Sequence, residues 1–423
     1  MLTKTFFRYV SQSTAGMLGL SCYILADTFF IARGIGETGL TALNLAIPVF
    51  SLITGAGLMA GIGGATLYTL RREKRIFTDA LLFTLAVSVL FFLCGVFLSE
   101  EAAYLLGADA VTLADTAVYL RTILLFSPFF LLNNLLSAFV RSDDAPRLAM
   151  TAQLAGSFSN ILLDYLFIYP LGWGMAGAAF ATCLAPIISL GILSAHFLQK
   201  KNTFTLVKTT PYIKNTARIC SLGLSSLITE FSSAIVIIVF NLLLLSLSGN
   251  TAVAAYGIIA NLALVVTSVF TGIAQGVQPL ISRSRREQDC GAIRHLFRLG
   301  LLLSIALGTV IFLAAFFFTS PIISVFNREN SAALAELASE GIRIYFLSAP
   351  FSGISILTAA VLSAADRPGF SLILSSVRSY LLLLPAVYLL AHCFGITGVW
   401  AAIPVTEGLC TVLAGCFIKK MIR

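Results

Sequence analysis

The sequence predicts an all-α polytopic membrane protein of twelve helices, and three observations carry that prediction. Of 423 residues, 58% are hydrophobic and 11% charged, with a mean hydropathy of +0.96. A soluble domain has too little interior to hide that much apolar surface. Apolar runs of about twenty residues, enough to cross a hydrocarbon core about 30 Å thick, recur along the whole chain. Finally, 22 of the 27 Lys and Arg fall in alternate loops, on one side of the runs.

The spans are expected at 10–32, 41–70, 79–98, 116–140, 148–169, 175–198, 220–247, 252–282, 299–319, 341–365, 370–391 and 396–418. The first carries Asp27 and shows no cleavage site after it, so it reads as a span and not a removed signal. The second holds Gly57 and Gly61, spaced for close helix approach, and a Gly61-Ile62-Gly63-Gly64 run that packs and holds no phosphate, since no Gly-Lys-Ser/Thr follows a strand. The third and fourth are joined by an acidic loop without a basic residue. Asn160 and Asp164 lie one turn apart in the fifth, and Thr182 lies in the sixth. Only the short turn 170–173 separates these two spans, with Trp173 as an interface anchor. The seventh contains Glu230, the eleventh Arg378 and the twelfth Glu407.

The outer loops keep only Arg33 and Arg328, whereas Lys419, Lys420 and Arg423 join the other basic residues on the inner side. This asymmetry puts both termini in the cytoplasm, and the chain is expected in the plasma membrane. It also accounts for the net charge of +8 without nucleic acid. Eight cysteines form no Cys-x-x-Cys pair, so no disulfide framework is expected. His196, His295 and His392 are scattered, and no His-Glu-x-x-His or Gly-x-Ser-x-Gly motif suggests an enzyme or cofactor.

The chain repeats itself. Arg121, Pro128 and Pro146 recur as Arg343, Pro350 and Pro368 at an offset of 222, and Gly57 and Gly61 recur as Gly272 and Gly276. Two six-span halves are therefore expected, 1–199 and 220–423, joined by the basic connector 200–219. An even span count gives both the same orientation.

Burying an ionised Asp in a membrane helix costs roughly 2.5–3.5 kcal/mol on insertion scales, so Asp27, Asp164, Glu230 and Glu407 are the candidate functional residues. At about 1.5 Å per residue, Asp27, Asp164 and Thr182 all lie about 9–12 Å from the outer surface. The hairpin lets Asp164, Asn160 and Thr182 converge; the residues alone do not show whether Asp27 joins them. Such an oxygen cluster suits Na⁺ or a shared proton. Glu230 reads either as an acid attracting cations into a substrate cavity or as a partner of Arg378. For Glu407 the salt bridge with Arg378 is favoured. Tyr119, Asn134, Ser137, Gln153, Gln275 and Arg378 are further candidates for cavity lining.

Three stretches, 27–50, the 159–179 hairpin and 253–282, resemble the multidrug and toxic compound extrusion (MATE) transporters, and the similarity runs over nearly the whole chain. It implies two six-helix lobes in a V around a central cavity, and export driven by inward Na⁺ or H⁺. The DinF-like branch implies a cation site at Asp27, Asn160, Asp164 and Thr182, and a helix-seven acid at Glu230. Two departures stand out: the tenth span has no acid, and the first lacks the proline at which some members bend. The expected function is thus a cation-coupled antiporter for amphipathic, mainly cationic organic compounds, a monomer surrounded by lipid and needing no cofactor. The alternative is a flippase for lipid-linked precursors, whose anionic headgroup would want a cavity rich in Arg and Lys.

Overall fold

The computed structural model describes residues 2–208, 210, 212–326 and 331–422; Arg328 and Arg423 lie outside the described residues. Among the described residues there is no strand. The first six membrane helices are α1 (Leu2–Gly34), α2 (Glu37–Arg71), α3 (Arg75–Phe97), α4 in two pieces (Leu113–Leu125 and Ser127–Ser142), α5 (Pro146–Ile168) and α6 (Gly174–Leu193). They are followed by α7 (Ile213–Gly249), α8 (Thr251–Arg286), α9 (Cys290–Phe317) and α10 in two pieces (Ala332–Tyr345 and Ala349–Ala364). Next, α11 runs from Pro368–Ser376 through a π turn, Val377–Leu381, to residue 394, and α12 covers 396–422.

Nine described helices are each long and apolar enough to cross a membrane, and the two pieces of α4, bent by 48°, together make a tenth span. One of the nine, Pro368–Lys419, holds both α11 and α12, because Gly395 at φ 59° breaks it. The twelfth is α5, which Arg147, Gln153, Asn160 and Asp164 leave less apolar than the rest.

The duplication is written into the backbone. Left-handed φ angles recur at matching places: Arg72 and Gln288 after α2 and α8, Asp144 and Asp366 before α5 and α11, Gly174 and Gly395 before α6 and α12. Asp tolerates this region better than most residues because its short side chain bonds locally. The break in α4 at Phe126 and the 3₁₀ turn Phe346–Ser348 in α10 also correspond, each just before the proline that starts the next piece.

The helices form two compact units, Phe7–Phe231 and Ser232–Arg423 with Met1–Phe6. In the first, α5 and α6 form the expected hairpin, with Gly156 against the Ala185 carbonyl and Gly177 against Phe167. The predicted glycine contacts are present: Gly57 and Gly61 rest on Asn134 of α4, and Gly63 meets the Ile219 carbonyl of α7. In the second unit, Gly308 of α9 abuts Pro350 of α10, and Trp400 of α12 is wholly buried beside Tyr256 and Gly341. All eight cysteines are free.

The connector after α6 is docked on the first unit. Asp143 accepts from His196 Nε2 (2.9 Å), from the Thr203 backbone N–H (2.8 Å) and from the Thr203 hydroxyl, while the Tyr68 hydroxyl lies 2.9 Å from Thr203 Oγ1. Asp79 accepts from Asn215 Nδ2 (2.8 Å) and the Tyr212 N–H (3.1 Å). Phe204 fills the aromatic cluster of Phe77, Phe139 and Phe197. Asp143→Ala leaves several buried donors unpaired and should cost about 3 kcal/mol, the loss typical of breaking a buried pair. A lower melting temperature and new protease cuts at 199–208 are the expected readout; an unchanged connector would refute the docking energetics.

Candidate functional site

A row of small residues on α1 sets where Asp27 lies. Tyr9 donates to Asp144 Oδ1 at 2.6 Å, Gly16 faces Gln153, Gly19 faces Leu154 and Gly34 faces Ile168 and Tyr169, numbering offsets of 134–137. Two parallel helices in that register bring Asp27 level with Leu162, between Asn160 and Asp164. Phe30 seals the level above by packing on Tyr165 and Tyr169. Asp27 and Asp164 are within electrostatic range of one another.

All four expected residues are withdrawn from solvent: Asp27 is 5% exposed, Asn160 and Asp164 0%, and Thr182 3%. The Asn160 amide bridges the hairpin when its Nδ2 donates to Asp164 Oδ2 (3.1 Å) and its oxygen accepts from the Thr182 N–H (3.2 Å). Asp27 Oδ1 and Asp164 Oδ1 are buried with no hydrogen-bond donor. Among the described residues, neither carboxylate has a salt-bridge partner. Two neighbouring carboxylates in a low-dielectric site resist ionising together.

Two tyrosines complete the cluster. Tyr119, expected as cavity lining, is 3% exposed beside Thr182 and within electrostatic range of Asp27 and Asp164. Tyr23 is one turn before Asp27 and within range of Asp27, Asp164 and Glu230. Sequence reasoning passed over Tyr23, although its i, i+4 spacing to Asp27 was the available signal. Glu230 is half-buried on α7, with its Cβ against Gly55 of α2, so it belongs to the first unit with the carboxylate pair.

The other expected lining residues are dispersed. Asn134 is wedged on Gly57 and donates to the Phe130 carbonyl (3.2 Å), Gln153 covers Gly16, and Ser137 is buried with its hydroxyl unpartnered. Gln275 and Arg378 belong to the second unit. There Arg378 Nε donates to Glu407 Oε1 at 2.6 Å, the salt bridge favoured for Glu407; Glu230 has no part in it. No group of three or more His, Cys, Asp or Glu side chains that could hold a metal ion occurs among the described residues. Any metal ion at the carboxylate pair would therefore also rely on the neutral oxygens of Asn160 and Thr182.

The chain is similar to known proteins in sequence and in fold. The chain is 26% identical over 413 residues to the multidrug export protein MepA of Staphylococcus saprophyticus, covering 95% of this chain and 90% of that one. It is 25% identical over 431 residues to MepA of Staphylococcus aureus (strain NCTC 8325 / PS 47), covering 99% and 94%. Among solved structures, the MATE multidrug transporter DinF-BH, captured with a bound ligand, superposes with a TM-score of 0.89 at 26% identity, over 99% of this chain and 95% of that one. A MOP superfamily transporter from Pyrococcus furiosus shares the fold with a TM-score of 0.91 at 21% identity, over 100% and 96%. The MatE family model matches residues 13–166 and 222–389, one block in each half of the repeat. The chain therefore belongs to the MatE family of multidrug and toxic compound extrusion transporters.

Proposed function

We propose that this multidrug efflux transporter expels amphipathic, mainly cationic organic compounds in exchange for Na⁺ or H⁺ taken up at Asp27, Asn160, Asp164 and Thr182. It is a secondary transporter and not an enzyme. The observation that carries the coupling is the buried carboxylate pair without a basic partner among the described residues, with Asp27 Oδ1 and Asp164 Oδ1 both lacking a donor. Such a pair is stable only when occupied, and occupancy drives transport if it favours one conformation of the transporter over another. The names of the MepA relatives and of the DinF-BH multidrug transporter support organic compounds as cargo. Glu230, half-buried in the same unit as the carboxylate pair, supplies the negative charge that attracts a cationic compound.

In this reading the halves 1–199 and 220–423 act as lobes that present the cargo alternately to the two membrane faces, in a plasma-membrane monomer with both termini cytoplasmic. Efflux of a fluorescent organic cation from proteoliposomes tests it, first with a Na⁺ gradient at clamped pH and then with a pH gradient free of Na⁺. Drive by Na⁺ alone makes the cluster a sodium site, and drive by pH alone makes Asp27 and Asp164 a proton pair. No drive from either gradient would overturn the coupling.

A further inference from the structure

The connector after α6 has two sides that carry different chemistry. Its inner side is fixed to the first unit. Phe204 is wholly buried, the Val207 N–H donates to Thr78 Oγ1 (3.0 Å), Arg75 Nη2 donates to the Thr210 carbonyl (2.6 Å), and Asn215 and the Tyr212 N–H reach Asp79. Helix α3 begins at Arg75, so Thr78 and Asp79 lie about 4–6 Å along it at about 1.5 Å per residue. A strap bonded there sits at the level where α3 enters the bilayer, not out in bulk water.

Its outer side is apolar and basic together. Leu198, Leu206 and Ile213 are 81%, 67% and 81% exposed. Interleaved with them are Lys200, Lys201, Lys208 and Lys214, all exposed and none in a salt bridge among the described residues. From Tyr165 to Thr229 the chain has no Asp or Glu, and the acids beneath the strap, Asp79 and Asp143, are already engaged on its inner side. Large aliphatic side chains alternating with lysines suit a membrane interface: the apolar groups enter the acyl boundary while the lysine stems carry their charges out to the headgroups. A polybasic segment at such a surface attracts acidic lipids, by about fivefold in affinity for each lysine engaged. Because the strap is already held in place, little ordering cost opposes that gain.

We propose that the connector is an interfacial docking surface for acidic phospholipids, whose headgroup phosphates meet Lys200, Lys201, Lys208 and Lys214 while Leu198, Leu206 and Ile213 enter the acyl boundary. The lipid is a bound partner of the first unit and not cargo. The two sides of the strap divide the work: Asp79 and Asp143 hold it against the helices, and the lysines select the lipid beside it.

The test puts a fluorescent reporter on the outer side of the full-length protein, Leu206→Trp, in phosphatidylcholine nanodiscs that contain a minor share of brominated phosphatidylglycerol or brominated phosphatidylcholine. Quenching beyond that of the native tryptophans reports lipid at the strap. Phosphatidylglycerol should be preferred by about fivefold or more. The preference should vanish when all four lysines are replaced by Gln, and should persist in Arg294→Gln/Arg298→Gln, which alters exposed charges on α9. It should also shrink in about 1 M salt, where screening acts within about 3 Å. Soluble glycerol phosphate in excess should not compete; if it does, the surface binds a free phosphate and the lipid is overturned as occupant. Leu198→Trp repeats the measurement if Leu206→Trp loosens the strap. Equal quenching by the two lipids, quenching by neither, or a preference that survives loss of the four lysines overturns the proposal. The efflux reading stands in each case, since no altered residue belongs to the carboxylate cluster.

Discussion

Asp164→Asn should abolish ion-driven efflux and leave a protein that inserts and folds. The replacement is nearly isosteric, and an amide at position 164 can still meet Asn160, so the α5–α6 hairpin keeps its polar bridge. What disappears is the charge that calls for a cation. With one carboxylate left, occupancy no longer discriminates between conformations, and a site without differential affinity shifts no equilibrium. Coupling free energies between sites are typically about 1–3 kcal/mol, so gradient-driven efflux should fall by up to about 150-fold, to the passive leak. Asp27→Asn should do the same, and the double variant should be no worse, since both remove one shared binding event. Full ion-driven export by the Asp164 variant, at equal expression, would remove the pair from the mechanism.

The second large effect is structural. A Cβ on Gly223 would sit 2.0 Å from the Met59 carbonyl oxygen, and one on Gly63 would sit 2.1 Å from that of Ile219. These two positions are where α2 and α7 touch backbone to backbone. A clash with a flexible side chain is relieved by a rotamer change, but here the obstacle is main chain, so the helices must separate. Gly223→Ala should therefore cost about 3 kcal/mol, the upper end for overpacking. For a unit of this size that lowers the melting temperature by roughly 6–12 °C. Gly191→Ala is the control: nothing lies within 4 Å of its Cβ position, so the gain in helix propensity should leave stability unchanged or slightly raised. Equal melting temperatures for Gly223→Ala and wild type would mean that the contact between α2 and α7 is looser than described.

The sequence was most informative where one residue type has one physical use. Apolar length marked the spans, recurring Pro and Gly positions marked the repeat, and the short 170–173 turn forced α5 beside α6. Those local rules yielded Asn160, Asp164 and Thr182 as a group. Asp27 joins them through the Gly16 and Gly19 surface on α1, which gains meaning only once α5 is known to be its neighbour. Tyr119, a candidate for cavity lining, also lies beside the carboxylate pair, which the sequence does not reveal because helix-to-helix register is invisible in a single chain. The connector looked like an ordinary basic loop. Its docking depends on Asp143 and Asp79, whose partners His196, Thr203 and Asn215 are far away in sequence. Likewise the π turn at Arg378 leaves no compositional trace.

The polarity of α5 bears on how the chain enters the bilayer. A segment carrying Arg147, Gln153, Asn160 and Asp164 partitions poorly by itself, whereas α6 is among the helices apolar enough to cross alone. Because only a few residues separate them, the translocon can release the two together, with Thr182 and the small residues of α6 already covering the polar face of α5. The polar cluster of Asn160, Asp164 and Thr182 is then assembled during synthesis, and lengthening the turn between these helices would strand α5 outside the membrane before any transport could be measured.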